Sequence, residues 1–347
     1  MEVLKELDCR GAACYNRRND CQRGRKVREL KHRFVETNGI KMHIAEQGKG
    51  PLVVLCHGFP ECWYSWRHQL PALAEAGYHA VAPDQRGYGQ TDRPEAIEAY
   101  DIFQLTGDIV GLVNALGEDQ AIIVGHDWGA TVAWHCALLR PDMFRAVGLL
   151  SVPYLPRSWK NVRPTDAMKL LVGENQFYQL YFQEPGKAEA ELEADVGKTM
   201  RMLLYSASGD PPAEKRWRFL FSKSEKLLDT VSLPDALPDW LSEQDIDFLS
   251  REFERTGFRG GLNWYRNIDR TWGLTPFLSG AKLRQPVLFV AGEVDAVITM
   301  YQAAFDAMEK TAPSLRKKIL LPGAGHWIQQ ERPAEVNELL IAFLAGL

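Results

Sequence analysis

The sequence has no run of about 18 apolar residues, so no membrane-spanning helix and no stable membrane insertion is expected. Its start lacks the apolar segment of a secretory signal. None of its six cysteines forms a Cys-x-x-Cys pair. Cys9, Cys14 and Cys21 lie near the N-terminus, and Cys56, Cys62 and Cys136 lie in apolar surroundings, a pattern that predicts reduced thiols in a cytoplasmic protein. Charge of one sign is also scarce: the net charge of −4 argues against nucleic acid or an anionic membrane as the main partner. The histidines have no metal-ligand spacing, and neither Gly87-Tyr88-Gly89 nor Gly323-Ala324-Gly325 extends into a phosphate-binding motif. No metal and no cofactor is therefore expected. Oligomeric state is open between monomer and homodimer.

What is present is an ordinary globular composition, 46% hydrophobic and 25% charged, over 347 residues. That length suits one large domain with an insertion, or two domains. Residues 1–31 stand apart as a basic tail with few large apolar residues, expected to be disordered. From there, short apolar runs alternate with helical patterns. Strands are expected at Leu52–Cys56, Ala80–Pro83, Ala121–Val124, Val147–Val152, Val287–Ala291 and Ile319–Leu321. Helices are expected at Phe103–Leu116, Gly129–Leu139, Tyr301–Thr311 and Pro333–Leu344. This is the pattern of an α/β fold with a mostly parallel sheet flanked by helices. The alternation stops near Pro153 and resumes after Pro276. Between them only helical segments are expected, at about Thr165–Tyr181, Lys187–Ser206, Ser242–Thr256 and Leu262–Arg270. The expected division is a core of 32–152 and 276–347 carrying an inserted helical cap, 153–275, over the carboxyl ends of the strands, where ligands bind in such sheets.

One stretch carries the chemistry. Gly125-His126-Asp127-Trp128-Gly129 follows an apolar strand and opens a helix, as the Gly-x-Ser-x-Gly nucleophile elbow does, but with aspartate in the serine position. In that arrangement an acid and then a histidine follow in chain order, each just past a strand end. His326, in Gly323-Ala324-Gly325-His326, fits the histidine. Asp295 fits the acid better than its neighbour Glu293. A carboxylate is ionised at neutral pH and can displace a leaving group from a tetrahedral carbon, leaving an ester on the protein. His326 then activates water against that ester, with Asp295 orienting the imidazole. The oxyanion of this second step needs backbone donors, and the amides of Phe59 and Trp128 are placed to supply them. His57 reads as structural. For the first step two leaving groups fit: halide, or the oxygen of an epoxide ring, which needs a proton donor such as tyrosine.

The motifs His57-Gly58-Phe59-Pro60-Glu61 and Gly125-His126-Asp127-Trp128-Gly129, with Phe177-Tyr178-Gln179-Leu180-Tyr181-Phe182 and Gly257-Phe258-Arg259-Gly260-Gly261-Leu262-Asn263-Trp264-Tyr265, resemble those of soluble epoxide hydrolases from about residue 32 to the C-terminus. The resemblance implies an α/β-hydrolase fold and conversion of epoxide plus water to a vicinal diol, a detoxification type of chemistry. It also implies that Tyr178 and Tyr265 hold and protonate the epoxide oxygen, with Tyr181 the nearby competitor for the first role. Phe59, Trp128 and Trp264 are expected to line a site for small hydrophobic epoxides. Vertebrate members carry an N-terminal phosphatase domain with an Asp-x-Asp motif; no phosphatase activity is implied here. Two other readings fit the motifs less well. A haloalkane dehalogenase shares the aspartate but usually has a second halide donor, such as an Asn directly after His-Gly where Phe59 stands. A non-catalytic ligand receptor on the same fold would not need the full set of catalytic groups.

Overall fold

The computed structural model describes residues 30–347. The expected tail therefore lies, for residues 1–29, outside the described residues, and Lys31 already opens the first strand. Eight strands form one sheet in the order β1-β2-β4-β3-β5-β6-β9-β10. They are β1 (Lys31–Thr37), β2 (Ile40–Gly48), β3 (Leu52–Cys56), β4 (His79–Pro83), β5 (Ala121–His126), β6 (Phe144–Leu150), β9 (Val287–Gly292) and β10 (Leu315–Leu321). From β4 to β10 every neighbouring pair is parallel, while β2 runs antiparallel to both β1 and β4.

Local chemistry explains which strands the sequence makes legible. Strands β3, β5 and β9 are buried at every position, and all but His126 at the end of β5 are apolar or glycine. Such uninterrupted runs belong to parallel strands covered on both faces. The first two strands show no such run. In β1 only Val35 and Thr37 are buried, and its charged residues disguise it. It pairs with β2 through a two-residue Asn38-Gly39 turn with φ of 45° and 75°, the mirror-type hairpin that Asn-Gly favours. β10 begins four residues earlier than expected, because Arg316, Lys317 and Lys318 belong to it as an edge strand.

The segment between β6 and β9 departs from its expected all-helical character. Asn175–Phe177 (β7) pairs antiparallel with Leu220–Ser222 (β8). The expected helix Thr165–Tyr181 is accordingly two, Pro164–Val172 and the single turn Tyr178–Tyr181, divided by Gly173 at φ 57° and by β7. The expected helix Lys187–Ser206 breaks at Asp195, whose carboxylate caps Val196–Ala207 by accepting the Lys198 N–H at 2.9 Å. Leu262–Arg270 resolves into Arg259–Arg266 and Ile268–Leu274, and Tyr301–Thr311 into Gln302–Asp306 and Met308–Thr311. Core helices Ile102–Ala115, Trp128–Leu139 and Pro333–Ala345 follow their expected positions within two residues.

Candidate active site

Asp127 sits at the single-residue turn between β5 and the helix Trp128–Leu139, with φ 53° and ψ −120°. That is a conformation L-residues avoid, and it lifts the side chain clear of the sheet. The flanking glycines make the turn possible. A Cβ on Gly125 would lie 2.0 Å from the Gly129 carbonyl oxygen, and one on Gly129 would lie 2.0 Å from that of Cys56.

The loops after β3, β9 and β10 bring the other groups to Asp127. The Phe59 N–H donates to Asp127 Oδ1 at 2.9 Å, beside a cis Phe59–Pro60 peptide. His326 places Nε2 3.6 Å from Asp127 Oδ2, and its Nδ1 donates to Asp295 Oδ2 at 3.1 Å. Asp295 Oδ1 accepts the Val297 N–H at 2.9 Å, which fixes the carboxylate. Glu293 instead accepts the Gly323 N–H and does not meet His326. The amide of Trp128 is the first of its helix, one of those N–H groups with no partner inside the helix.

The electrostatics follow from this geometry. Burial disfavours the Asp127 carboxylate, but hydrogen bonding and charge from His326, the nearby His126 and the Phe59 N–H outweigh it and hold the group below the ordinary range. Burial likewise opposes charge on His326. The carboxylates of Asp295 and Asp127 win, and its imidazolium persists well above the usual histidine range. The resting site is thus an ion pair.

Two phenols face this pair. Tyr178 and Tyr265 are buried, their ring centroids 6.1 Å apart, and both line cavities bounded by Asp127. Burial pushes both phenols well above their ordinary range; Tyr301 and the Asp127 charge push Tyr178 further, and Asp127 does the same for Tyr265. Both are protonated donors. Tyr181 points elsewhere, donating to Glu191 Oε2 at 2.7 Å. Trp264 is a correction. It was expected to line the substrate site, but its indole N–H donates to the Arg86 carbonyl at 3.1 Å, and its ring stands edge-on behind Trp128 outside both cavities. A large indole with one N–H is buried only where that donor finds a partner, and the partner here lies in the core.

His57, read as structural, is held between the Gly58 carbonyl and the Gln85 N–H, which makes Gln85 part of the loop's support. Several other residues had no assigned role in the sequence. His126 contacts Glu61 Oε2 at 2.7 Å and the His326 carbonyl at 2.8 Å. Glu61 also accepts from the Gly58 N–H and from the amides of Gln329 and Gln330. Burial opposes its charge, yet His126 and the Gly58 N–H keep it ionised. Both partners of His126, a carboxylate and a backbone carbonyl, are acceptors. The Phe59 and His326 loops are thereby tied together beneath Asp127. Gln179 Nε2 donates to the Tyr178 hydroxyl at 2.9 Å and also hydrogen-bonds the Tyr301 phenol. The signal for Glu61, His126 and Gln179 was their place inside the quoted motifs; Tyr301 had none.

Two cavities meet at Asp127. The larger has about 310 Å³ open to water centres and a wall dominated by residues such as Trp134, Leu155, Met168, Ile268 and Met300. The smaller, about 30 Å³ on the same measure, lies on the His326 side. Among the described residues, no cluster of three His, Cys, Asp or Glu side chains is arranged to hold a metal ion, and no helix is long and apolar enough to cross a membrane.

Comparison with known proteins agrees with this geometry. The α/β hydrolase fold family model matches residues 51–333. Epoxide hydrolase A of Mycobacterium tuberculosis (strain ATCC 25618 / H37Rv) is 49% identical over 91% of this chain and 97% of its own. Bifunctional epoxide hydrolase 2 of Sus scrofa is 41% identical over 91% of this chain and 55% of its own. The crystal structure of epoxide hydrolase A from Mycobacterium thermoresistibile superposes with a TM-score of 0.87 at 52% identity, covering 92% of this chain and 99% of the other. Identity at this level over nearly the whole described chain, together with an aspartate at the elbow, means that the chain belongs to the epoxide hydrolases of the α/β-hydrolase family.

Proposed function

We propose that this enzyme opens small hydrophobic epoxides through an ester on Asp127, with residues 153–275 acting as a cap that supplies the acid. The observation that carries the reading is the convergence of an ionised carboxylate and two protonated phenols on one largely apolar cavity. Asp127 attacks an epoxide carbon, the C–O bond breaks, and Tyr178 or Tyr265 gives its proton to the departing oxygen. Esterification removes the negative charge that helped hold a proton on His326. The imidazolium becomes more acidic and releases that proton, which restores the one the phenol gave up. Neutral His326 is then the base for water, Asp295 stabilises the imidazolium that forms, and the amides of Phe59 and Trp128 receive the oxyanion.

Halide chemistry has less support, since paired phenol donors answer the needs of an alkoxide and not those of a halide. Small substrates reach such a site from the cytoplasm. The test is His326→Gln. Mixed with an epoxide such as styrene oxide, the variant gains the mass of one substrate molecule per chain, localised to the peptide containing Asp127. Asp127→Ala shows no gain and no turnover. An unchanged mass in His326→Gln sinks the two-step route.

A further inference from the structure

We propose that the outer face of the cap between Arg157 and Val172 docks reversibly on an anionic bilayer surface, from which epoxides too apolar to dissolve in water reach the larger cavity. The choice of substrate rests on the reading above of hydrophobic epoxides; the docking does not. Among the described residues, the three most exposed large apolar side chains are Leu171, Leu170 and Trp159, at 87%, 81% and 80%, and all fall in this stretch. Single exposed apolar residues are ordinary, whereas a concentration of them marks a contact surface.

The patch extends beyond the stretch itself. Arg157 donates to the Trp272 carbonyl at 3.0 Å and lies over the Trp272 ring, and the Thr165 N–H donates to Asp269 at 3.0 Å. These bonds lay the stretch against the helix Ile268–Leu274 and the turn after it, where exposed Phe277 stacks on Phe103. On the inner side, Pro164 and Met168 line the larger cavity. The helix Pro164–Val172 thus has the cavity on one side and exposed Leu170 and Leu171 on the other. A helix with its side chains is about 10 Å across, and helices at a membrane interface sink about 5–10 Å. Docking on this face brings the cavity within one helix's width of the acyl chains.

Charge selects the occupant. The chain as a whole carries −4, yet in this stretch Arg157, Lys160, Arg163 and Lys169 stand against Asp166 alone. Lys160, Arg163 and Lys169 are exposed. Asp166 is shared between Arg163 at 2.8 Å and Lys169 at 3.8 Å, which leaves cations in excess. Cations beside tryptophan and leucine suit a face that lies on anionic lipid. A second copy of the chain fits less well, because a twofold contact sets the same patch against itself and brings these cations together.

Vesicle sedimentation tests the docking with no epoxide present. The full chain is mixed with sucrose-loaded vesicles of phosphatidylcholine and phosphatidylglycerol in equal parts, or of phosphatidylcholine alone. The parent enzyme is expected to bind the mixed vesicles about tenfold more tightly than the neutral ones, and less tightly at high salt. The double variants Lys160→Glu with Lys169→Glu, and Leu170→Gln with Leu171→Gln, are each expected to weaken that binding by about tenfold or more. All four side chains are exposed, so hydrolysis of dissolved styrene oxide should stay within about twofold in both variants. Turnover of a long-chain alkyl epoxide carried in the mixed vesicles should fall in step with binding. Failure of the parent to sediment with mixed vesicles, or unweakened binding by both variants, would overturn the proposal. So would a parent dimer that the leucine variant dissociates in analytical ultracentrifugation, which would seat a second copy on this face. No turnover of dissolved styrene oxide by the parent would instead refute the substrate reading, while the vesicle result stands on its own.

Discussion

At the scale of single residues the site works by coupled charges. His326 keeps its proton in the resting enzyme because two carboxylates face it and burial alone cannot remove it. In the proposed two-step route, ester formation neutralises one of the two, so the same imidazole is expected to titrate at lower pH in the intermediate. On that route its basic form serves hydrolysis and is lost as pH falls through that lowered value. The acid limb of single-turnover ester hydrolysis is therefore expected below the His326 titration seen by NMR in the free enzyme; coincidence of the two would show that Asp127 does not hold the proton there. The phenols are coupled as well. Gln179 donates to the Tyr178 oxygen, which in the proposed route leaves the Tyr178 proton for substrate and would stabilise the phenolate as it forms. Gln179→Met is expected to slow ester formation by about tenfold, more severely in a Tyr265→Phe background, with little effect on hydrolysis. Equal loss in both steps would mean that Gln179 only supports the fold.

At the scale of elements, catalytic precision comes from loops locked to one another under the elbow. A buried hydrogen bond between Glu61 and His126 joins the Phe59 loop to the His326 backbone. Glu61→Gln removes a charged acceptor from this buried network, and hydrogen bonds to charged groups are worth about 1.5–3 kcal/mol. Urea denaturation should show that loss, and a midpoint equal to that of the parent would mean that the Glu61 charge does not hold the two loops together. Legibility in the sequence follows the same physics. β3, β5 and β9 announce themselves because both faces are buried, and Asp127, His326 and Asp295 because each sits just beyond an apolar strand. β1 is hidden because its exposed edge is charged, although Asn38-Gly39 marked the hairpin. The ribbon β7-β8 is too short to show a period. Trp264 was misplaced because an aromatic in a motif tells nothing of where its N–H finds a partner. Tyr301 meets Gln179 only through the fold.

At the scale of the molecule, cap and core are joined by bonds that neither can make alone. Trp264 in the cap donates to Arg86 in the core, and Trp327 in the core donates to Leu204 in the cap at 2.8 Å. The His326 N–H itself donates to the Ala207 carbonyl at 2.9 Å, so the last turn of a cap helix helps hold the catalytic loop. Glu331 accepts from Gly209 on one side and from Gly325 and Trp327 on the other. At a third point, Asp245 on the cap takes the Tyr64 hydroxyl at 3.0 Å and the Arg67 guanidinium at 3.2 Å. Opening the cap as a rigid lid would break all these hydrogen bonds at once, each at a net cost of about 0.5–1.5 kcal/mol. Substrate entry is therefore expected through side-chain motion around the larger cavity, and unfolding as one cooperative event. The two-state expectation is checked with the inactive Asp127→Asn variant. Urea transitions followed by far-ultraviolet circular dichroism and by tryptophan fluorescence should superimpose, since cap and core both carry tryptophans. A fluorescence transition that precedes loss of secondary structure would show the cap detaching first, and with it the His326 loop losing one of its supports before the sheet does.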